Sequence, residues 1–506
     1  MLVIKNLTIH LVKDLKTVIE NFSFSLENGM KVCIIGEEGN GKSSILKAIV
    51  DDEGLKEYAE IRGEINKVNE VIGYLPQILE TEVLNFSVRN YLEYKTEDEY
   101  FDYNLFYKLL KELNLNENLI NDKQSVRELS GGERIKFILL CELMKNPTCL
   151  LLDEPSNDLD INSIEWLKNF IKNIDIPVVF ISHDEGLIET CANVIIHIEQ
   201  LMRKKKPKIS IERLGYDNYV KNRINMIKKQ ERIAKKQREE FDKKQRRYQK
   251  VYERVQYEIR STTNDLVGRN LKDKMHTVKS IGKRLEKEKE NLLEFPDYEE
   301  AIFVKFDENI NYSSKKEILD LNLGKLVVGD KILSKDIELK VFGSDKICII
   351  GENGVGKTTL LKIILKNIKK SVRISYMPQN YDDKMNLDMS IIDFLSNTYK
   401  KDEITKIRTY LGSMKFTADE MLHNLKSLSG GQKAKVYFLK MILENPEVLI
   451  LDEPTRNLSP FSSIEIRKLL KSYKGTIISI SHDKKYIYEV CNKIYEFTEN
   501  GLKFIC

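Results

Sequence analysis

The sequence has no apolar run long enough to cross a bilayer. Its longest runs, VIIHI (194–198) and IPVVFI (176–181), fall far short of the ~20 residues a membrane helix needs. The N-terminal MLVIKNLTIH alternates apolar and polar residues as a strand does and lacks the charged-then-apolar layout of a secretory leader. Seven cysteines (33, 141, 149, 191, 348, 491 and 506) form no CxxC pair and no metal-ligand spacing. That excludes a cysteine-built metal site and reads as small buried hydrophobes in a reducing compartment. The expectation is a cytoplasmic chain that spans no membrane.

What is present is length, charge and repetition. At ~100–200 residues per domain, 506 residues predict about two to four domains. A hydrophobic content of 42% supplies real cores, and 32% charged residues is high without implying disorder. The net charge of +4 is unevenly spread. Between Arg203 and Glu290 there are 29 Lys and Arg against 13 Asp and Glu, which leaves 53 against 65 in the remainder. A basic segment inside an acidic protein points to a polyanionic partner.

Residues 31–44, KVCIIGEEGNGKSS, return as 346–359, KICIIGENGVGKTT. LSGGE (129–133) returns as LSGGQ (428–432), CLLLDEPS (149–156) as VLILDEPT (448–455), and FISHD (180–184) as SISHD (479–483). Two copies of one domain therefore flank the basic middle. We place them at 1–200 and 298–506, with a linker at 201–297.

Each glycine-rich motif follows a strand-like run and precedes a helix-like one, the context a phosphate-binding loop requires. Gly36, Gly39 and Gly41, and Gly351, Gly354 and Gly356, let backbone N–H groups close round phosphate at a helix N-terminus. Lys42 and Lys357 bring charge to the outer phosphates, Ser43 and Thr358 suit Mg²⁺, and Ser44 and Thr359 are further nucleotide-binding candidates. Asp153 and Asp452 end apolar runs that read as buried parallel strands, whose C-terminal ends are where ligands bind. Each Asp suits the Mg²⁺ shell, and Glu154 and Glu453 suit a role on the attacking water. His183 and His482 follow second apolar strands at matched distances, and Gln77 and Gln379 share an aromatic-x-Pro-Gln context that suits Mg²⁺ and water.

This set, twice over, resembles the ATP-binding-cassette ATPases across both outer domains. The resemblance implies an α/β fold of two P-loop domains in tandem, Mg²⁺ and ATP as cofactors, and ATP hydrolysis. It also implies two composite sites within a monomer. Ser429, Gly430 and Gly431 would close over nucleotide held by Lys42, and Ser130, Gly131 and Gly132 over nucleotide held by Lys357. The sequence departs from the family in two places. No aromatic stands ready to stack on the base: His10 is the nearest in the first copy and residues 320–340 hold none, so GTP joins ATP as a candidate. The second copy also reads RNLSP (456–460) where the first reads NDLD (157–160), so Asp160 has no acidic counterpart and the two sites need not be equivalent.

The basic middle carries a seven-residue period. Ile227, Ala234, Phe241, Tyr248 and Val255 form one row, and Leu271, Val278, Leu285 and Leu292 another. Such rows predict two helices, about 217–259 and 271–293, packed antiparallel as a long hairpin, with Phe295-Pro296 ending the second. Between them RSTTNDLVGR (260–269) reads as the turn, with a tip near 259–270. There Arg260, Asn264, Leu266, Val267, Arg269 and Asn270 are the candidate tip residues, with arginines suited to phosphates and apolar side chains that need cover. Trp166 reads as packing, and His197, His276 and His423 have no partner motif.

Two cassettes joined by such a hairpin resemble the ABC-F subfamily. That implies the 70S ribosome as partner, with contacts to 23S rRNA and peptidyl-site tRNA, and no membrane or DNA. Only 51 residues separate Gln77 from Leu129, which leaves little room for the extra arm of housekeeping members. The TRNLSP run looks like the antibiotic-resistance members that act against lincosamides, pleuromutilins and streptogramin A compounds. Ribosome protection is therefore the leading reading. A housekeeping translation factor and, more remotely, a soluble ATPase subunit of a transporter are its alternatives.

Overall fold

The computed structural model describes residues 1–12, 16–79, 81–96, 101–116, 119, 124–157, 159–201, 206–261, 265–293, 306 and 316–506, the side chains of 96, 265, 266, 268 and 290 excepted. These fall into two compact units: the two repeated copies together, and the helical segment that begins at Asp217.

Each copy is built on a six-stranded sheet. In the first copy the order across the sheet is Ile72–Leu75, Cys149–Asp153, Val178–Ile181, Lys31–Ile35, Val194–Gln200 and Lys206–Glu212. In the second it is Ile374–Met377, Val448–Asp452, Thr476–Ile480, Lys346–Ile350, Lys493–Thr498 and Gly501–Phe504. Neighbours run parallel except the last pair of each sheet, which is antiparallel. The strands ending at Asp153 and Asp452 are buried at every position. This is why their sequences are unbroken apolar runs and do not alternate.

A smaller antiparallel layer lies beside each sheet. It consists of Val3–Leu11, Lys16–Ser25 and Ala59–Asn66 in the first copy, and Glu317–Val328 with Lys331–Phe342 in the second. Leu7, Ile9, Val18 and Ile19 pack into one core with Ile45 and Leu46 of the helix after the first glycine loop. Ile318, Leu321, Ile337 and Leu339 do the same with Leu360 and Leu361. Each glycine loop is thus pinned between a central strand and a helix with one packed face.

The strand Lys206–Glu212 corrects the boundary at 200. It pairs with Val194–Gln200, Ile209 opposite Ile198, so the first domain continues to Glu212. Lysines at 206 and 208 disguise it as linker, although charge is usual on an edge strand.

The helical unit holds two helices, Tyr216–Ser261 and Asp265–Glu290. The first, of 46 residues, spans about 69 Å at ~1.5 Å per residue. Ala234, Phe241, Val255, Leu271, Val278 and Leu285 of the two rows are buried. Lys244 pairs with Glu288, the Leu293 amide donates to Gln237 Oε1 at 2.8 Å, and a Cβ at Gly282 would stand 2.6 Å from the Tyr248 hydroxyl. One number rises as its partner falls, so the helices run antiparallel.

Most of the stretch expected as the turn, RSTTNDLVGR, lies within the two helices. Arg260 belongs to the first helix, whose end is fastened by the Ser261 hydroxyl donating to the Tyr257 carbonyl at 3.0 Å. Val267, Gly268, Arg269 and Asn270 belong to the second, which opens at Asp265, an acid suited to a helix N-terminus. Thr262, Thr263 and Asn264, the Leu266 side chain, and Phe295-Pro296 lie outside the described residues.

Candidate nucleotide site

The two glycine loops have matching backbones. Gly36, Gly39 and Gly41 take φ of 149°, 80° and 90°, and Gly351, Gly354 and Gly356 take 154°, 80° and 103°. A Cβ at Gly36 would stand 2.3 Å from the Ile198 carbonyl oxygen, and one at Gly351 2.6 Å from that of Phe497. Only glycine lets the chain turn this tightly against the neighbouring strand. The loops end on the helices Lys42–Val50 and Lys357–Asn367. Lys42 Nζ donates to the Gly36 and Glu37 carbonyls at 2.8 and 3.1 Å, and Lys357 Nζ to those of Gly351 and Glu352, both at 2.8 Å.

The carboxylates fall beside the loops. Ser43 Oγ donates to Asp153 Oδ1 at 3.0 Å, and Thr358 Oγ1 to Asp452 Oδ2 at 2.9 Å. One hydroxyl and one carboxylate per copy fit Mg²⁺, which takes few protein ligands and keeps phosphate and water for the rest. Burial pushes Asp153 up to about 6, against the Ser43 hydrogen bond that lowers it, and burial raises Asp452 as well. Ser44 and Thr359 sit in the first helical turns, and Thr359 lines the second site.

Glu154 and Glu453 both sit at positive φ, 50° and 53°, with their amides donating to Ile181 and Ile480 at 3.0 Å. This unusual backbone turns each side chain off the strand end towards a histidine. His183 Nε2 lies 3.0 Å from Glu154 Oε1; His482 Nε2 lies 3.7 Å from Glu453 Oε1. Burial pushes Glu154 up, but His183 and Lys42 outweigh it and hold the carboxyl below its ordinary range. Burial, with Asp452 beside it, pushes Glu453 up to about 8. Burial, with Lys357 nearby, lowers His482 to about 4. Two matching sequences therefore hold different electrostatics. Glu154 Oε2 carries no hydrogen bond among the described residues, which suits a group that orients water.

A cavity of about 680 Å³ opens at the second loop. It gathers Gly354, Gly356, Lys357, Thr358, Thr359, Gln379, Asp452, Glu453 and His482, with Val328, Lys331 and Leu333 at its antiparallel-sheet side. The first copy contributes Ser156, Asn157, Leu159 and His183. The expected Ser130, Gly131 and Gly132 are not among its lining residues. Ser130 is exposed and caps its own helix, Gly131–Met144, through Glu133. Gln77 is exposed just past the strand Ile72–Leu75. His10 hydrogen-bonds Thr17 at 2.9 Å. Trp166 stacks on Phe170, and His197 on Phe461, as packing residues do.

The first loop is brought against Gly430 and Gly431, through residues the motifs did not single out. Glu38 Oε2 accepts the Gly431 N–H at 2.6 Å. Glu37 Oε1 accepts the Ser459 and Ser462 hydroxyls at 2.7 and 2.5 Å, and Glu37 Oε2 accepts Lys435 Nζ at 3.0 Å. A second cross-copy cluster joins Arg467 to Glu185 at 2.6 Å and Lys484 to Glu165 at 2.8 Å. One signal was available. Positions after the LDEP motif recur 299 residues on, as Asp153 and Asp452 do, and that offset sets Asp160 against Ser459 and Glu185 against Lys484.

Two glycine loops, each facing a carboxylate-tipped strand and a following histidine, define a pair of P-loop ATPase domains. The profile of the ABC transporter family matches residues 19–157 and 334–456. The ATP-binding protein Uup of Buchnera aphidicola (subsp. Acyrthosiphon pisum) is 30% identical over 506 aligned residues, covering 96% of this chain and 78% of the relative. ABC transporter F family member 2 of Arabidopsis thaliana is 28% identical, covering 96% and 75%. A solved complex of an archaeal ribosomal stalk protein with the ribosome recycling factor aABCE1 superposes with a TM-score of 0.61 at 18% identity, covering 99% of this chain and 89% of that one. This chain belongs to the ATP-binding-cassette family. Among the described residues no helix is long and apolar enough to cross a membrane.

Proposed function

We propose that the chain is a ribosome-binding ATPase that protects the large subunit from antibiotics of the peptidyl-transferase centre. In this reading it enters the tRNA exit site with ATP bound and directs the tip of its helical pair towards the drug site. The observation that carries the reading is the helical pair itself: 46 and 26 residues long, inside a segment with 29 basic against 13 acidic residues. A spacer needs length and a packed seam. It does not need a large basic excess, which suits rRNA and tRNA phosphates. Arg260, Val267, Arg269 and Asn270 at the facing helix ends, with Asn264 and Leu266, are the proposed contacts.

The reading places ATP with Mg²⁺ in two composite sites. Ser43, Asp153 and Gln77, and Thr358, Asp452 and Gln379, would hold the metal, which would neutralise phosphate charge when bound. Glu154 with His183, and Glu453 with His482, hold and deprotonate water. Ser429, Gly430 and Gly431 complete the first site, and Ser130, Gly131 and Gly132 the second when it closes. The RNLSP segment supports the drug-protection branch. The likeness to Uup and to the plant relative over 96% of the chain supports the second reading, a housekeeping translation factor of the same branch.

Expression in a susceptible host, with inhibitory concentrations measured drug by drug, separates the two. Protection should appear for lincosamide, pleuromutilin or streptogramin A drugs and vanish in Glu154→Gln with Glu453→Gln, which should stay ribosome-bound on cosedimentation. Cosedimentation without protection against any large-subunit drug selects the housekeeping reading. No cosedimentation refutes both.

A further inference from the structure

We propose that Glu38 makes the first site discriminate between nucleoside triphosphate and diphosphate, by competing with the terminal phosphate for the N–H of Gly431. The inference rests on the composite-site reading above, in which Gly430 and Gly431 meet the outermost phosphate of nucleotide on the first loop. Gly431 stands in the first turn of the 15-residue helix Gly430–Glu444, and its N–H donates to Glu38 Oε2 at 2.6 Å. The carboxylate thus takes the donor that the reading gives to the phosphate, at a helix end whose dipole favours either anion.

The contact is built. A Cβ at Gly430 would stand 3.0 Å from Asn457 Nδ2 and 3.3 Å from Glu38 Oε2, and one at Gly431 2.8 Å from the Asn457 carbonyl. The helix start is therefore pressed between the RNLSP segment and the first loop. Next to Glu38, Glu37 is anchored in the second copy by the Ser459 and Ser462 hydroxyls and Lys435, all four residues being buried. Glu37 cannot swing away without breaking that set, so Glu38 is presented to Gly431 by its neighbour.

The device exists on one side only. The residue matching Glu38 in the second loop is Asn353, which carries no charge and lines the open cavity. The residue matching Ser459 is Asp160, which would repel Glu352 where Ser459 binds Glu37. Diphosphate held by Lys42 and the first loop does not need Gly431, whereas triphosphate must displace Glu38 to gain it. The first site therefore pays a penalty for triphosphate that the second does not.

The test uses full-length protein carrying Lys357→Ala, so that only the first site reports. Affinities for a non-hydrolysable fluorescent ATP analogue and for fluorescent ADP are measured with and without Glu38→Asn. The substitution installs what the second loop already carries, so the loop geometry tolerates it. The triphosphate should bind about tenfold tighter or more, the worth of displacing a charge-assisted hydrogen bond, while ADP affinity stays the same. Equal gains for both nucleotides, or no gain for the triphosphate, would overturn the proposal. If binding persists when Lys42→Ala is added to Lys357→Ala, the nucleotide-site reading falls, and the proposal with it.

Discussion

Arg467 offers a direct measure of what holds the two copies together. Its guanidinium is 3% exposed, and it donates to Glu185 of the other copy at 2.6 Å and to Glu489 of its own at 2.9 Å. Replacing it with Met strands the Glu185 carboxylate, 4% exposed, with Lys485 at 3.4 Å as its remaining cation and Asp483 nearby. Breaking one side of a buried ion pair costs about 3–5 kcal/mol, because the abandoned charge stays desolvated. At ~2–4 °C per kcal/mol for a domain of this size, the thermal midpoint should fall by roughly 6–20 °C. Adding Glu185→Met removes the stranded charge and leaves two apolar side chains of fitting length, so the double variant should recover more than half of the loss. Differential scanning calorimetry on the parent, both singles and the double closes the cycle. A single variant melting within about 2 °C of the parent, or a double variant as unstable as the sum of its singles, would refute the reasoning.

Glu403, which is not among the residues lining the nucleotide cavity, predicts a pH effect. Its carboxylate accepts hydrogen bonds from the Asn397 and Thr398 amides and from the Thr398 and Ser396 hydroxyls, which lower it from 4.5 to about 2. The folded value is the lower one, so the stabilisation is present above about 4.5 and is lost as pH falls towards about 2. Glu403→Gln should lower the melting temperature at pH 7 by an amount that shrinks steadily below pH 4.5; a gap independent of pH would contradict this. In the second loop, Gly351→Ala should cost more than Gly354→Ala. Both carry strain of about 1–3 kcal/mol from positive φ, but only Gly351 also meets a backbone oxygen, whereas Gly354 faces open space. Melting temperature and nucleotide affinity should both rank them in that order.

Much of the fold was legible because its signals are local and doubled. The loop glycines announce a φ that other residues resist, and two copies at one spacing leave little room for chance. The heptad rows were legible for the same reason, since Phe241, Val255 and Leu271 are apolar at a fixed period and are buried. The stretch 260–269 misled because Ser, Thr, Asn and Asp favour both turns and helix ends. Ser261 and Asp265 serve as ends, so the helices extend closer to one another than composition suggested. Lys206–Glu212 was hidden by charge that an edge strand carries without cost. Glu37, Glu38 and Ser459 were illegible as a set, because acids in a phosphate loop and a serine 422 residues away acquire meaning only when folding brings them together.

The offset that sets Asp160 against Ser459 and Glu185 against Lys484 bears on how such a molecule can change over time. In a dimer of identical subunits every interface residue is present twice, and a substitution alters both sites at once. Here the halves share one chain, so each contact is inherited separately. An acid can be traded for a hydroxyl on one side while the other keeps its charge. Holding both copies in one chain thus frees matched positions to diverge, as Glu38 and Asn353 do, and Asp160 and Ser459. A motif count, which sees the same residues twice, cannot register that divergence.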